Sequence, residues 1–355
     1  MTIQLPAAVG ADQTKGLSTT NCQAHDVANS VSIPQSVIEI CAAGPGGVNT
    51  SGVNVTIRDV TVEGNWPDDL HGCYDGMYGI LVGGGASLSL ADSTVEKIGV
   101  GPLTFDAGCQ QGVAIQAGRW VIGQVGHLYL SDDTIETYQK NGIMVDGPGS
   151  TADIDHVVVT GDGPTPAIAQ NGIQISRGAT GSVTGSIVTG NNYTGTGNTS
   201  STGILVFGGC GYPLDDRVTI TGNRVLGNDV GIDLGNYNPA CSAAPATVTA
   251  DVACGNVAMN SNGYPGGTPS SGANITGWSS SPEVGYQAGI SDSGNQDVIC
   301  ANAIWGAGYA PLGATSSLPN PPPPAFVRPI DVVSGPTTAP LVFSNTYDGF
   351  PYSPS

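Results

Sequence analysis

Nine lysines and arginines stand against 28 aspartates and glutamates in this 355-residue chain. A cation placed close to a carboxylate is therefore rare enough to be examined for chemistry. Lys140, Asp146 and Arg177 form such a group, with Gln116, Asn141 and Gln174 near them in the pattern. A base, an anion and a cation in one groove are what β-elimination from a uronate requires. The base removes the proton beside the carboxylate and the cation stabilises the charge that develops. Glycoside hydrolysis instead needs two carboxyl groups about 5–9.5 Å apart. Asp146 and Asp233 are the clear carboxylates of the repeated strands described below. They lie three repeats apart, roughly 14 Å at the usual strand spacing, so a hydrolytic partner is expected from a loop: Asp75, Asp106 or Asp229. Competing structural roles are plain. Asp146-Gly147 is an ordinary turn pair, and an exposed Asp146–Arg177 pair contributes about 0–1 kcal/mol. Asp132-Asp133 and His156 read first as corner residues.

What must position these groups is a six-fold recurrence. Gly79-Ile80-Leu81-Val82, Gly112-Val113-Ala114-Ile115, Gly142-Ile143-Met144-Val145, Gly172-Ile173-Gln174-Ile175, Gly203-Ile204-Leu205-Val206 and Gly231-Ile232-Asp233-Leu234 start 33, 30, 30, 31 and 28 residues apart. Each alternates with a period of two, the strand pattern, and a recurrence of this length means stacked supersecondary units. A second strand, a polar break carrying Asp59, Asp92, Asp133, His156, Ser186 or Asn223, and a third strand follow each one. Val37-Ile38-Glu39-Ile40 supplies an earlier first strand, and weaker copies continue at Val252-Ala253-Cys254 and Val298-Ile299-Cys300. The prediction is an all-β solenoid of about eight three-strand rungs over residues 37–305. Residues 1–36 are expected to cap its N-terminal end. The Pro-rich segment 306–355 is expected to pack on the coil or cap it, and 258–286 is a polar excursion between late rungs.

These rungs resemble the right-handed parallel β-helix of the pectin-lyase-like superfamily. The resemblance covers about three quarters of the chain. It implies a substrate groove along the outside of the Gly-start strands, walled by loops. On that face the second and fourth residues after each glycine point outward. This gives one column of Leu81, Ala114, Met144, Gln174, Leu205 and Asp233, and another of Gly83, Gln116, Asp146, Ser176, Phe207 and Gly235. The expected catalytic group is Asp146, Arg177 and Lys140. Gln116, Asn141, Gln174, Phe207 and Asp233 are expected to contact substrate, with Tyr74 and Asp75 on a Cys-anchored wall loop. Trp120 and Tyr138 are further candidates for stacking. The Asn-Thr-Asp, Asp-Asp and Gly-His-Gly series of polygalacturonases is missing, as is the triple-Asp calcium cluster of pectate lyases. No cofactor is required on this reading, although Ca²⁺ is compatible with it.

The function implied is a secreted, monomeric polysaccharide lyase or glycoside hydrolase. The alternative is a non-catalytic glycan-binding or cell-surface solenoid. A formal charge of −19 disfavours nucleic acid and anionic membranes as partners. No apolar run is long enough to span a membrane, and the first residues carry no signal peptide. The residue-1 Met is read as preceding a mature, exported chain. Eight cysteines without zinc-type spacing favour disulfides in an oxidising compartment. Proximity along the coil suggests Cys22–Cys41, Cys73–Cys109, Cys210–Cys241 and Cys254–Cys300.

Overall fold

The structure, a computed structural model, describes residues 9–10, 36–41, 54–64, 77–99, 109–193, 200–209, 211–215, 217–236, 249–260, 287–306, 327–332, 340–347 and 350–352. Among these residues three sheets of nine, nine and eleven strands run along the coil, parallel throughout except for Phe350–Tyr352, which closes the third sheet antiparallel to Asn345–Tyr347. The chain visits them in turn, so each rung is one strand of each sheet. The first sheet holds the Gly-start strands, from Ser36–Cys41 to Val327–Val332. The second runs from Asn54–Arg58 to Leu341–Phe343, and the third contains Thr61–Glu63 through Asn345–Tyr347. The fold is a right-handed parallel β-helix of nine rungs among the described residues. The ninth rung lies beyond residue 305, where the repeat is no longer evident in the sequence. Val327–Val332, Leu341–Phe343 and Asn345–Tyr347 each pair in parallel with the rung before. The one described helical element is the 3-10 turn Trp120–Ile122. Among the described residues no helix is long and apolar enough to cross a membrane.

Inward Val, Ile and Leu side chains from all three sheets join in a single buried core from Ile38 to Ile330. The recurring glycine has a steric cause. A Cβ on Gly142 would lie 2.6 Å from the Gly172 carbonyl oxygen and 2.7 Å from Val159 Cγ1. At Gly172 it would meet Gly203 O at 2.6 Å and also the Val188 side chain. Each glycine leaves room for the third-sheet valine of its own rung and the backbone of the next.

The corner between the second and third sheets has two columns, and the expected polar break straddles them. Asp59, Asp92, Asp132, His156, Gly185, Gly222, Gly255, Ala301 and Ser344 occupy the left-handed region, with φ between 52° and 70°. The following residue turns inward, and there the buried ladder forms. Asp133, Ser186 and Asn223 belong to it; Asp59, Asp92 and His156 belong to the outer column. In the later rungs the ladder is asparagine. Asn256 Oδ1 accepts from the backbone and side-chain amides of Asn223, both at 3.0 Å. Its own Nδ2 donates to Ile220 O and to Asn302 Oδ1, also at 3.0 Å. Asn302 and Asn345 repeat the arrangement. These bonds satisfy turn amides that the strand ladders do not reach. Burial raises the ladder carboxyl of Asp133 to about 7, and the charges of Asp92 and Asp132 act in the same direction.

Cys254 and Cys300, directly opposite on neighbouring second-sheet strands, form a disulfide with Cα atoms 4.5 Å apart. Cys109 is also disulfide-bonded. Among the described residues no cysteine is free. The side chains of the expected Cys22–Cys41 and Cys210–Cys241 pairs, and Cys73, lie outside the described residues.

Candidate functional site on the first sheet

The outward face of the first sheet is ordered by strand register. Its central column is Glu39, Leu81, Gln116, Met144, Gln174, Leu205, Asp233, Ser291 and Asp331. Gln116 therefore stands beside Leu81 and Met144, and Ala114 takes the place of the glycine. The expected alignment of the Gly112 unit is displaced by two residues. Ile115, and not Val113, is the residue level with Ile143.

Three neighbourhoods divide this face. At the strand starts Tyr78, Leu81 and Val113 form a small apolar cluster, with half-buried Met144 packed on it. Asn141 donates to Met144 Sδ at 3.3 Å, and Asn171 donates to Gln174 Oε1 at 3.0 Å. Gln116 turns its amide onto the Gly118 carbonyl at 2.7 Å. Gln116, Asn141 and Gln174, expected to contact substrate, are all buried. Their amides are engaged in local bonds. Lys140, at the entrance to the Asn141–Asp146 strand, donates to Ala169 O at 2.5 Å. Burial lowers its ammonium to about 8.

The second neighbourhood is the opposite end of the same strand. Asp146 and Arg177 do meet, with Arg177 Nη1 3.0 Å from Asp146 Oδ1. The pair is not an exposed one, because Asp146 is only 3% exposed. Its carboxylate also accepts from Ser176 Oγ at 3.1 Å and from the Trp120 backbone amide at 2.9 Å. Asp146 thus fixes the start of the 3-10 turn. The guanidinium of Arg177 lies 4.9 Å from the Tyr212 ring centre, and Trp120 and Phe207 contact the same ring at 5.1 and 5.8 Å. Arg177 itself has φ 56°. Lys140 precedes the strand and Asp146 ends it, so six residue rises, about 20 Å, separate them. The fold does not bring Lys140 into the Asp146–Arg177 group. Tyr138 is fully buried and donates to Asn191 Oδ1 at 2.6 Å, which makes it a ladder residue with no surface for stacking.

Carboxylates meet in the third neighbourhood. Asp233, Ser291 and Asp331 are consecutive in the central column. Asp233 is half-buried and Asp331 buried. Burial raises Asp233 to about 7. The charge of Asp331 raises it further, and a hydrogen bond from Ser291 works against both. Asp331 is a partner that sequence reasoning missed. Ile330-Asp331-Val332 repeats the Ile232-Asp233-Leu234 triplet, but Pro329 stands in the position of the signature glycine and conceals the rung. Asp229 is occupied elsewhere, accepting the Tyr193 and Ser201 amides at 2.9 Å each. Tyr74, Asp75 and Asp106 lie outside the described residues.

Beneath this face, at the turn into the second sheet, Asp292 and Asp297 face each other within the fold. Burial and the neighbouring Asp297 raise Asp292 to about 9. Among the described residues no group of three or more histidines, cysteines or carboxylates is arranged to hold a metal ion.

No protein-family model matches the chain, and no curated protein matches it. Among solved structures it is similar to the tailspike protein of E. coli bacteriophage HK620, seen as single and double mutants in complex with a pentasaccharide. Those likenesses have 14% and 13% identity and TM-scores of 0.43 and 0.44, and each covers 98% of this chain. The Dettilon tailspike protein is similar over 81% of the chain at 16% identity, with a TM-score of 0.37. The chain spans 60% of the HK620 protein's length and 57% of the Dettilon protein's. Its own strand register, continuous through all nine rungs, identifies the chain as a right-handed parallel β-helix.

Proposed function

We propose that the chain is an exported polysaccharide hydrolase that cleaves with inversion, Asp233 acting as general acid and Asp331 as general base. One observation carries the reading: two carboxyl groups share an outward column with one serine strand between them, and burial raises the half-buried Asp233 to about 7. Two strand spacings are about 10 Å at the backbone. A separation of that order is close to the roughly 6.5–9.5 Å that leaves room for a water between the carboxyls of an inverting enzyme. A carboxyl kept protonated near neutral pH by its surroundings suits the role of general acid. Asp331 takes a proton from the water as the water's oxygen bonds to the anomeric carbon. Asp233, protonated, delivers its proton to the departing glycosidic oxygen as that bond breaks. The disulfides support an oxidising compartment. A lyase reading would need a cation at the anion site, yet Arg177 is bound to Asp146 and Lys140 to a carbonyl.

The test is a screen of neutral and acidic polysaccharides with wild-type and Asp233→Asn protein. It reads reducing ends and, in parallel, the absorbance of unsaturated products. Reducing ends without unsaturation, lowered at least about 100-fold by Asp233→Asn, are expected. Unsaturated products would establish a lyase. Binding with no release would establish a non-catalytic glycan-binding solenoid.

A further inference from the structure

The second sheet, one face round from the proposed catalytic column, carries a concavity of about 350 Å³ that the hydrolase reading does not use. Its floor is set by strand register. Thr56, Ser89, Tyr129 and Asp153 line it from one outward row, and Arg58, Ala91, Ser131 and Asp155 from the next. In these rows a single large ring, Tyr129, stands among hydroxyls and carboxylates. It is 51% exposed, although burying a ring of that size would be favourable. Asp153, opposite it on the next strand, and Arg58, two strands away on the other side, are exposed, and the Asp155 side chain is half exposed. The carboxylates are held in place: Asp153 Oδ1 accepts from Ser182 Oγ at 2.7 Å, and Asp155 Oδ1 lies 2.9 Å from His156 Nδ1.

We infer that this concavity is a second glycan-binding site, at which the ring of a neutral polysaccharide stacks on Tyr129. The sugar's hydroxyls donate to Asp153 and Asp155 and accept from Arg58. The chemistry fits this ligand class on three counts. A pyranose presents an apolar face of C–H groups, which matches an exposed aromatic ring. Its rim of hydroxyls matches fixed carboxylates, a guanidinium and serine and threonine side chains, the sparse polar groups that orient a ligand in a mostly preformed site. Two carboxylates against one cation, on a chain of net charge −19, select against a polyanion. The site rests on the proposed function only in taking a carbohydrate as the partner. Its place on the second sheet would let the polymer stay bound while the first sheet cuts it.

Native affinity electrophoresis tests the site. The intact chain, Tyr129→Ala, Asp153→Ala and Val158→Ala are run through gels containing barley β-glucan, arabinoxylan, galactomannan or, as the polyanion, polygalacturonate. Retardation by at least one neutral polymer is expected. Tyr129→Ala should weaken it by about tenfold or more, Asp153→Ala should weaken it measurably, and Val158→Ala, at an exposed position on the third sheet, should leave it unchanged. The melting temperature of Tyr129→Ala is measured alongside, and no loss is expected for an exposed ring. Absence of retardation in every neutral gel, retardation by polygalacturonate alone, or retardation indifferent to Tyr129→Ala would overturn the inference. Tyr129-dependent binding without any cleavage would retain this site and refute the hydrolase reading.

Discussion

Asp233 and Asp146 lie on the same face, yet their surroundings demand different things of a carboxyl. Around Asp233, burial and a second carboxylate favour the protonated form up to about 7. Activity that needs this proton should fall as pH rises through about 7, a descending limb to be read from kcat/KM against pH on the polymer identified in the screen. A limb placed at pH 4–5 would remove Asp233 as the acid. Asp146 instead receives Ser176, Arg177 and a backbone amide. Asp146→Ala orphans these donors in a site that water barely reaches, and should cost about 2–4 kcal/mol, measured by urea unfolding. A loss under about 0.5 kcal/mol would return the pair to the class of weak surface ion pairs. The contact between Asp146 and Arg177 was legible from strand spacing. The burial of Asp146 was not, because its cover comes from the Trp120 turn, a non-repeating loop.

At the scale of the element, the corner and the glycine carry the specificity of the coil. Asn256→Ala removes an acceptor for two amides and a donor to two oxygens at once. Unfolding should become easier by about 2–4 kcal/mol, while His156→Asn, at an exposed position that asparagine tolerates in the left-handed region, should change stability by less than about 0.5 kcal/mol. Equal effects at the two positions would contradict the two-column description of the corner. The strands themselves were readable, because the period of two is a backbone property that every rung repeats. Their register was only partly so. A slip of one residue turns every side chain to the other face. The two-residue displacement of Gly112 preserves the alternation and leaves no mark on the pattern. The corner misled for a related reason: Asp and Asn suit both the left-handed position and the buried ladder, so residue type cannot separate adjacent columns. Asp331 was hidden because Pro329 replaces the glycine in a strand set among prolines.

For the whole molecule, the fold covers acids as well as hydrocarbons, some fully buried and some half-buried. Asp133, Asp162, Asp233 and Asp292 are all raised, chiefly by burial, to about 7, 6, 7 and 9. A carboxyl with a raised folded pKa binds its proton more tightly in the native state. Its contribution is complete below the unfolded value near 4 and is lost as pH rises through the folded value. Stability by urea unfolding should therefore fall between pH 5 and pH 8. Lys140, lowered to about 8, acts in the opposite sense only above that window. A rise over pH 5–8 would mean that these carboxyls are ionised in the fold. On a larger scale the solenoid places two long faces side by side. The first carries the column in which Asp233 and Asp331 sit, and the proposed hydrolysis there predicts a stereochemical outcome. The most direct measurement is proton NMR of the anomeric signals released in the first minutes of cleavage, before mutarotation. Carboxyls two rungs apart predict initial release of the anomer opposite to the bond cleaved; initial release of the retained anomer, or of an unsaturated sugar, would contradict the account.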